Sequence, residues 1–307
     1  MPAGFEWCSV DVKDDLQIQE VYELLKNNFV EDSDSNYRFE YSVDLLRWVL
    51  DTPNRDQDLH LGVKATGKTK ILGFLAGIPT KININGNVIK TCYINFLVVH
   101  KKLRHKKLTT LLVKEIARRI KSTNTWSAIY TAGHVIRPPF AQSQFFHRQL
   151  NVKKNIEIGY AALPKNTTLA RYVKSLALKE ISPSDIKGIP RVMTTKDVAE
   201  VYQLYKRQMK KYKCHFVYSQ DEFMHLIVPK KGVVYTLVIE GADGKLTDFI
   251  SFYNLPSQII KDETGHGHKY INVSYFVKLI NFGFRLPICI TTAFQNTTNS
   301  STWLVLP

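Results

Sequence analysis

The sequence predicts a mixed α/β protein (an α+β mixed sheet) built from two tandem copies of one unit, the second incomplete. Apolar residues at helical spacing alternate along the chain with strand-like apolar runs, which is typical of helices packed on a sheet. Several blocks also recur 177 positions apart, which indicates an internal duplication. These blocks are "YSVDLL" at Tyr41 and "YSQDEF" at Tyr218, "GK" at Gly67 and Gly244, and the runs that end at Pro79 and Pro256.

The first copy begins near Phe5, and its residues predict the order helix, helix, strand, turn, strand. Asp14 or Asp15 is a suitable N-cap for the first helix. The strand pair is predicted in "LHLGVKA-TGK-TKILGFLAGIP", where a Gly-containing turn separates two apolar runs. The apolar positions that predict the helices are Leu16, Val21, Leu24 and Leu25 in the first and Leu45, Leu46, Val49 and Leu50 in the second.

The second copy begins near Pro190, after a joint rich in turn-forming residues. The strand "YINFLVV" at Tyr93 is predicted to recur at Tyr270, where the sequence reads "YINVSYF". The helix that should follow, over 284–298, has no apolar helical stripe, so the second copy is predicted to stop after its central strand. The predicted boundaries are 4–181 for the first half, 190–276 for the partial second half, and 277–307 for a divergent tail.

Positive charge is concentrated where the central strand of the first copy leads into a helix. The net charge of +15 indicates an anionic partner, although part of it is expected on solvated helix surface. "KKLRHKK" (101–107) holds five Lys or Arg in seven residues at the start of a helix, where free N–H groups and the helix dipole favour a phosphate. No zinc-finger, helix-turn-helix or RNA-binding motif accompanies it, which argues against nucleic-acid specificity. The apolar stripe of this helix is Leu108, Leu111, Leu112, Ile116 and Ile120.

Cysteine usage and hydropathy predict a soluble protein of the cytoplasm. The four cysteines lie far apart and form no metal-type pair, so we expect no metal site. A chain without disulfide spacing fits a reducing compartment. We also expect no signal peptide and no transmembrane segment, because no apolar run approaches about 20 residues.

Several long blocks resemble the N-myristoyltransferases, the glycylpeptide N-tetradecanoyltransferases. They are "VYELLKNNFVEDSDSNYRFEYS", "INFLVVHKKLRHKKL", "YTAG", "FFHRQLN" and "DFISFYNLPS", in family order from about Gly4 to Tyr275. The resemblance implies two fused acyltransferase-like (GNAT-like) halves, the first binding acyl-CoA and the second binding peptide. It implies transfer of myristate from myristoyl-CoA, a substrate rather than a permanently bound cofactor, to the N-terminal glycine amine of proteins. The ribosome is a further expected partner.

The resemblance also implies roles for individual residues. The backbone amides of Phe96 and Leu97 would form an oxyanion hole where the strand is interrupted. His105 stands where the family usually has Ser, and Thr109-Thr110 where it has Ala-Pro, which alters the predicted phosphate loop. The implied acyl-CoA contacts are Leu97, Val98, Val99, Arg104, His105, Lys106, Lys107, Leu108 and Thr109, and the implied peptide contacts are Asp32, Asp34, Tyr37, Phe39, Thr131, His147 and Ser257.

The resemblance is incomplete at both ends. In the family the general base is the carboxylate of the chain's own C-terminus, reached through an aromatic-rich closing segment that does not follow Tyr275 here. The aromatic segment that closes over CoA in the family would precede the start of this sequence. Two interpretations therefore stay open: an N-acyltransferase, or a catalytically inactive or truncated member that at most binds acyl-CoA or peptide. A basic nucleic-acid-binding protein is the third alternative.

Overall fold

The computed structural model of the chain describes residues 2–29, 36–131, 146–177, 188–260, 270–277 and 302–306. These residues fall into two compact units. The first unit comprises 1–30, 40–141 and 212–225, and the second comprises 31–39, 142–211 and 226–307. The mixture of helices and mixed sheets confirms the predicted fold class, whereas the predicted domain boundaries at 4–181, 190–276 and 277–307 stay predictions.

The first unit is organised around a sheet in the order β1-β3-β4-β5-β6, with β9 paired to the far end of β4. All its described pairings are antiparallel except the parallel pair of β5 with β6. Its strands are β1 (Phe5–Ser9), β3 (His60–Ala65), β4 (Ile71–Ile84), β5 (Asn87–Val99), β6 (Ala128–Ile129) and β9 (Cys214–Phe216). The helices of this unit are α1 (Asp15–Asn28), α2 (Val43–Leu50) and α3 (Leu108–Ser122), and α7 (Gln220–Ile227) crosses the boundary between the units.

Helix α1 forms where the sequence predicts it, with one error in its buried face. Asp14 caps it by accepting hydrogen bonds from the N–H groups of Leu16 and Gln17. Leu16 was predicted to face the core, but it is 80% exposed, and Ile18 is buried instead. The predicted burial of Leu16 is wrong because this residue lies about 200° around the helix from the buried Ile18.

The predicted duplication is visible in matching elements. Helices α2 and α7 have the same length, and their bounds are 177 residues apart. The Nε1–H of Trp48 donates to the carbonyl oxygen of His225 (3.1 Å), and His225 Nε2 lies 2.6 Å from the carbonyl oxygen of Trp48. Gly67 and Gly244 both adopt left-handed backbone, with φ of 71° and 74°. Positions 177 residues apart thus share local structure.

The second unit contains a sheet in the order β7-β13-β12-β11-β10-β8, with β2 paired to β11. Only the pair of β12 with β13 is parallel among its described pairings. The strands are β2 (Tyr37–Phe39), β7 (Phe146–Gln149), β8 (Ile189–Val192), β10 (Val234–Glu240), β11 (Leu246–Ile259), β12 (Tyr270–Val277) and β13 (Thr302–Leu306). Its helices are α4 (Val152–Glu157), α5 (Leu169–Leu176) and α6 (Val198–Met209).

The predicted second central strand exists as β12, but its register differs from the prediction. Tyr270 pairs with Gln258, which lies 177 residues after Lys81. In the first sheet Lys81 pairs with Lys90, so Tyr270 occupies the position of Lys90 rather than that of Tyr93. The cause is the connection between the strands, because the two residues between β4 and β5 correspond to ten between β11 and β12. The segment 284–298, predicted to lack a helix, lies outside the described residues.

Candidate acyl-transfer site

Strand β5 is interrupted by a β-bulge near its C-terminal end. The ladder with β4 shifts register at Leu75, so that Phe96 and Leu97 together oppose this one residue. Phe96 has a φ of 57°, the left-handed region that non-glycine residues rarely adopt. A bulge takes backbone groups out of the regular ladder, so this is the place in β5 where amides can turn towards a ligand.

The side chain of Phe96 anchors the bulge. It is 2% exposed and belongs to the core formed by α1, α2 and one face of the sheet. Its ring centroid lies 5.0 Å from that of Tyr41 in an edge-to-face arrangement and 6.4 Å from that of Phe29. Leu97, by contrast, is 39% exposed. Burial of the first ring therefore fixes the bulge and leaves the next residue accessible.

The backbone N–H of Phe96 already has a partner within the chain. It donates to Oδ1 of Asn95 at 2.8 Å, a local side-chain-to-backbone bond that satisfies a group outside the ladder. The sequence pattern did not predict this role of Asn95. An Asn directly before the left-handed residue is a pattern that could have indicated it, because Asn commonly bonds neighbouring backbone groups.

The basic segment that follows is a 3-10 helix rather than the predicted open loop. It spans Lys101–Lys106, and His100 caps it with Nδ1 near the N–H of Lys102 (3.3 Å). Its position is fixed by the end of α1. Oδ1 of Asn28 accepts the N–H of Lys101 (2.9 Å), and a guanidinium nitrogen of Arg104 donates to the carbonyl oxygen of Asn28 (2.7 Å).

The start of α3 has no side-chain cap and lies beside exposed basic residues. The helix begins at Leu108, because Lys107 adopts a left-handed conformation with φ of 58°. No side chain caps the first N–H groups of the helix, and these groups carry the positive end of its dipole. Leu108 is buried and the basic residues before it are exposed. The exposed side chains at this point are Arg104, His105, Lys106, Lys107 and Thr109.

Acidic charge near this helix is neutralised locally. Glu115 of α3 accepts hydrogen bonds from Arg118 (2.7 and 2.9 Å) and Arg119 (2.9 Å). The bond from Arg118 is the main cause that lowers the pKa of Glu115 to about 2. Glu115 is therefore bound within its own helix rather than to the basic segment.

The remaining predicted acyl-CoA residues, Val98 and Val99, follow the bulge and are buried, at 3% and 6% exposure. Their side chains belong to two different cores, Val98 with Phe96 and Val99 with Leu108. Their side chains are therefore not placed to meet a ligand.

One predicted peptide contact lies in the first unit near the bulged strand. Thr131 is exposed, and its Oγ1 lies 3.4 Å from the hydroxyl oxygen of Tyr93 on β5. The ring of Tyr93 meets that of Phe216 edge-on, with 6.1 Å between the centroids. Thr131 is thus held beside the strand that carries the bulge.

Three other predicted peptide contacts meet in the second unit. Phe39 of β2 pairs with Ser257 of β11, and Ser257 is buried. The hydroxyl of Tyr37 donates to the carbonyl oxygen of Ile158 (2.8 Å), and its ring lies against that of Tyr160. The β2–β11 pairing therefore brings together residues that are more than 200 positions apart in the sequence.

Asp32 and Asp34 lie outside the described residues. His147 lies in β7, where its backbone is paired with that of Val305 in β13. Within the described ranges, no group of His, Cys, Asp and Glu residues could hold a metal ion, and no helix is long and apolar enough to cross a membrane. Cys8, Cys92 and Cys214 are free thiols.

Comparison with known proteins decides the family. The N-terminal domain of Myristoyl-CoA:protein N-myristoyltransferase matches residues 1–143, and the C-terminal domain of the same family matches 157–301. A Plasmodium falciparum glycylpeptide N-tetradecanoyltransferase is 37% identical over 297 residues, which cover 96% of this chain and 68% of that protein. This chain belongs to the N-myristoyltransferase family.

Other N-myristoyltransferases show how far the similarity extends. A probable glycylpeptide N-tetradecanoyltransferase of Caenorhabditis elegans is 40% identical over 276 residues, covering 90% of this chain and 60% of that protein. A crystal structure of Saccharomyces cerevisiae N-myristoyltransferase with bound myristoyl-CoA matches with a TM-score of 0.88 and 30% identity, covering 99% of this chain and 73% of that one. The predicted family is confirmed. The chain spans about 60% of the length of the first curated relatives it matches.

Proposed function

We propose that this chain transfers myristate from myristoyl-CoA to the amine of an N-terminal glycine. The observation that carries the proposal is the bulge at Phe96 and Leu97, which lies directly upstream of an exposed basic segment and an uncapped helix start. Acyl transfer from a CoA thioester needs both features: donors for the thioester oxygen and cations for the phosphates of CoA.

The phosphates of CoA would bind at the start of α3. The N–H groups of its first turn donate to no side-chain cap, and Lys106 and Lys107 add positive charge beside them. Arg104 uses one guanidinium nitrogen to bind Asn28 and keeps other donors for an anion. His105 and Thr109, which replace the usual family residues, can each donate one hydrogen bond to a phosphate oxygen.

The reaction would occur at the bulge. The free amine attacks the thioester carbon, and the negative charge that develops on the carbonyl oxygen is stabilised by the backbone N–H groups of Phe96 and Leu97. The oxygen takes the place of Asn95 Oδ1, which now accepts the Phe96 N–H. Collapse of the tetrahedral intermediate forms the amide and breaks the carbon–sulfur bond. The amine nitrogen loses one proton, and the CoA thiolate gains one, so that CoA leaves as the thiol.

Peptide binding would use the residues that the family resemblance implies. Thr131 lies beside β5, and Tyr37, Phe39 and Ser257 lie together on β2 and β11. We assign Asp32, Asp34 and His147 to the same substrate. Carboxylates at Asp32 and Asp34 suit a lysine a few residues into the peptide, and the family resemblance implies that glycine is the acceptor.

We place this activity in the cytoplasm, with newly made glycine-initiated proteins as acceptors and the ribosome as a partner. The net charge of +15 supports contact with an anionic assembly. Co-sedimentation of the purified protein with ribosomes, at low and at physiological salt, tests this partner. Absence of the protein from the ribosome pellet at both salt concentrations would contradict it.

A second function, binding acyl-CoA without transfer, is favoured by one observation. Asn95 Oδ1 accepts a hydrogen bond from the Phe96 N–H, so one of the two proposed oxyanion donors already has a partner within the chain. If this bond persisted when thioester bound, the site would hold the acyl group without activating it.

One experiment separates the two functions. The protein is incubated with myristoyl-CoA and a glycine-initiated peptide, or a matched alanine-initiated peptide, and the products are measured by mass spectrometry. We expect acylation of the glycine peptide alone. Binding of myristoyl-CoA by calorimetry without any acylated peptide would favour the binding function. If the protein neither bound myristoyl-CoA nor acylated the peptide, both proposed functions would be contradicted.

A further inference from the structure

The tip of the β4–β5 hairpin extends beyond the cover of α3. On one face of the hairpin, Cys92 and Ile94 pack in the core that α3 completes. Side chains two residues apart share a face of a strand, so Val88 and Lys90 continue the same face towards the tip. Both are exposed, Val88 by 55%. Lys81 pairs with Lys90 across the ladder and is exposed as well.

Trp126 extends this uncovered face sideways. The next residue, Ser127, donates its hydroxyl to the carbonyl oxygen of Lys90 (3.0 Å) and accepts the N–H of Cys92 (3.2 Å), so Trp126 lies beside the hairpin. The indole is 76% exposed, and its N–H donates to Oδ1 of Asn124 (3.2 Å). Lys121, in the last turn of α3, is also exposed and precedes Trp126 by five residues. The hairpin-tip surface consists of Lys81, Val88, Lys90, Lys121 and Trp126.

Strands β4 and β5 and the segment around Trp126 contain no acidic residue, and the one carboxylate of α3, that of Glu115, is paired with Arg118 and Arg119. The sequence contains no Asp or Glu between Asp58 and Glu115, and none between Glu115 and Glu157. The cations of the surface therefore have no carboxylate on their own strands to offset them. Exposed apolar side chains surrounded by lysine are typical of segments that lie in the interface of an anionic membrane.

We propose that the hairpin-tip surface docks the protein onto the anionic headgroups of a lipid bilayer. Tryptophan prefers the boundary between headgroups and acyl chains, where its ring is buried and its N–H stays hydrated. Val88 would enter the same layer, and the three lysines would meet lipid phosphates or carboxylates. A nucleic-acid backbone would match the lysines but would give Val88 no apolar contact. This inference goes beyond acyl transfer and does not depend on it.

The test uses the full chain and vesicles of phosphatidylcholine, with or without phosphatidylserine, at physiological salt. We expect sedimentation with the anionic vesicles only. Lys81→Glu with Lys90→Glu should weaken this binding by more than about 25-fold, because each lysine near an anionic surface contributes about fivefold. Trp126→Ser should weaken it by about tenfold, because it removes the main apolar contact.

A matched control variant is available at the other end of β4. Lys68→Glu with Lys70→Glu makes the same change in net charge at exposed positions beside the turn that precedes β4. Its binding to vesicles should stay within about threefold of wild type. Circular dichroism and unfolding curves establish that each variant is folded before its binding is compared.

Four results would overturn the proposal. They are no binding of the wild-type chain to anionic vesicles, equal binding to neutral vesicles, an equal loss in the Lys68 and Lys70 variant, and no effect of Trp126→Ser. Binding to an RNA homopolymer that shows the Lys81 and Lys90 dependence, without vesicle binding, would instead identify a nucleic-acid surface.

Discussion

Two antiparallel ladders in this chain follow the same repeat but differ at one position. In the first, between β4 and β5, Leu75 opposes both Phe96 and Leu97. In the second, between β11 and β12, the residue 177 positions after Leu75 is Phe252, and it pairs with Phe276 alone. Over its described length, Ser251–Gln258 against Tyr270–Val277, the second ladder has no shift in register.

This difference indicates how a repeated scaffold can carry chemistry in one copy only. An unbroken ladder uses its backbone groups for pairing, whereas a bulge releases amides that can meet a ligand. In the first copy the bulge precedes the basic 3-10 helix and α3. The end of β11 pairs with β2 in the second copy, much as the end of β4 pairs with β9 in the first, so this pairing does not distinguish the two copies. One inserted residue thus distinguishes the strand that we propose to be reactive from its counterpart in the second copy.

The largest expected effect comes from forcing the bulge towards regular strand. Phe96→Val should reduce the free energy of unfolding by about 4 kcal/mol, because it leaves a cavity and places a β-branched residue in left-handed backbone. The matched variant is Phe249→Val in β11, where the ring is equally buried but the backbone is extended. It should lose about 2.5 kcal/mol, from the cavity alone. Equal losses in urea unfolding would contradict a strained bulge.

A second difference between the copies predicts a pH effect. His60 pairs with Ala76, and the corresponding pair in the second copy is Val234 with Tyr253. His60 is 1% exposed, and burial, followed by the charge of Arg55, lowers its pKa to about 4. The imidazole is therefore neutral in the folded state at pH values where the unfolded chain already binds a proton.

The sign of the effect follows from this lowered pKa. Between the unfolded pKa of 6.5 and about 4, the unfolded state binds more protons, so stability falls as the pH falls. His60 should remove about 3 kcal/mol between pH 7 and pH 4. His60→Val should abolish this component and differ from wild type by less than about 1 kcal/mol at pH 7. Parallel pH profiles for the two proteins would show that His60 is not the cause.

The smallest expected effect concerns the hydrogen bond that closes the bulge. Asn95→Ala removes the acceptor of the Phe96 N–H and should cost about 1 kcal/mol of stability. Asn87→Ala, at the exposed start of β5, should change stability by less than about 0.5 kcal/mol. If the two variants unfolded at the same urea concentration, the bond to Asn95 would contribute nothing to the bulge.

The sequence predicts where helices and strands form better than it predicts the register of the strands. Helix α2 was predicted from Leu45, Leu46, Val49 and Leu50. The three leucines are buried and Val49 is partly buried against the core that contains Leu46 and Leu50, because apolar periodicity reports directly on burial. The register of β12 was predicted wrongly because the constant offset of 177 residues made Tyr93 equivalent to Tyr270, an equivalence that the longer connection removes.

The parts of the candidate site that were not predicted depend on backbone conformation and distant contacts. The bulge was expected at Phe96 only through the family resemblance, since a non-glycine residue with positive φ leaves no composition signal. Lys107 also has a positive φ that the composition does not signal, and α3 begins directly after it. The bond of Arg104 to Asn28 joins residues 76 positions apart, and no local pattern indicates it.

We propose that the basic segment after the bulge binds the phosphates of an acyl-CoA. Titration calorimetry with myristoyl-CoA measures this binding for wild type, for Lys106→Glu and for the control Lys68→Glu, which changes an exposed lysine before β4. We predict binding by wild type, about tenfold weaker binding by Lys106→Glu, and unchanged binding by Lys68→Glu. No binding by wild type, or equal affinities for all three proteins, would contradict the account.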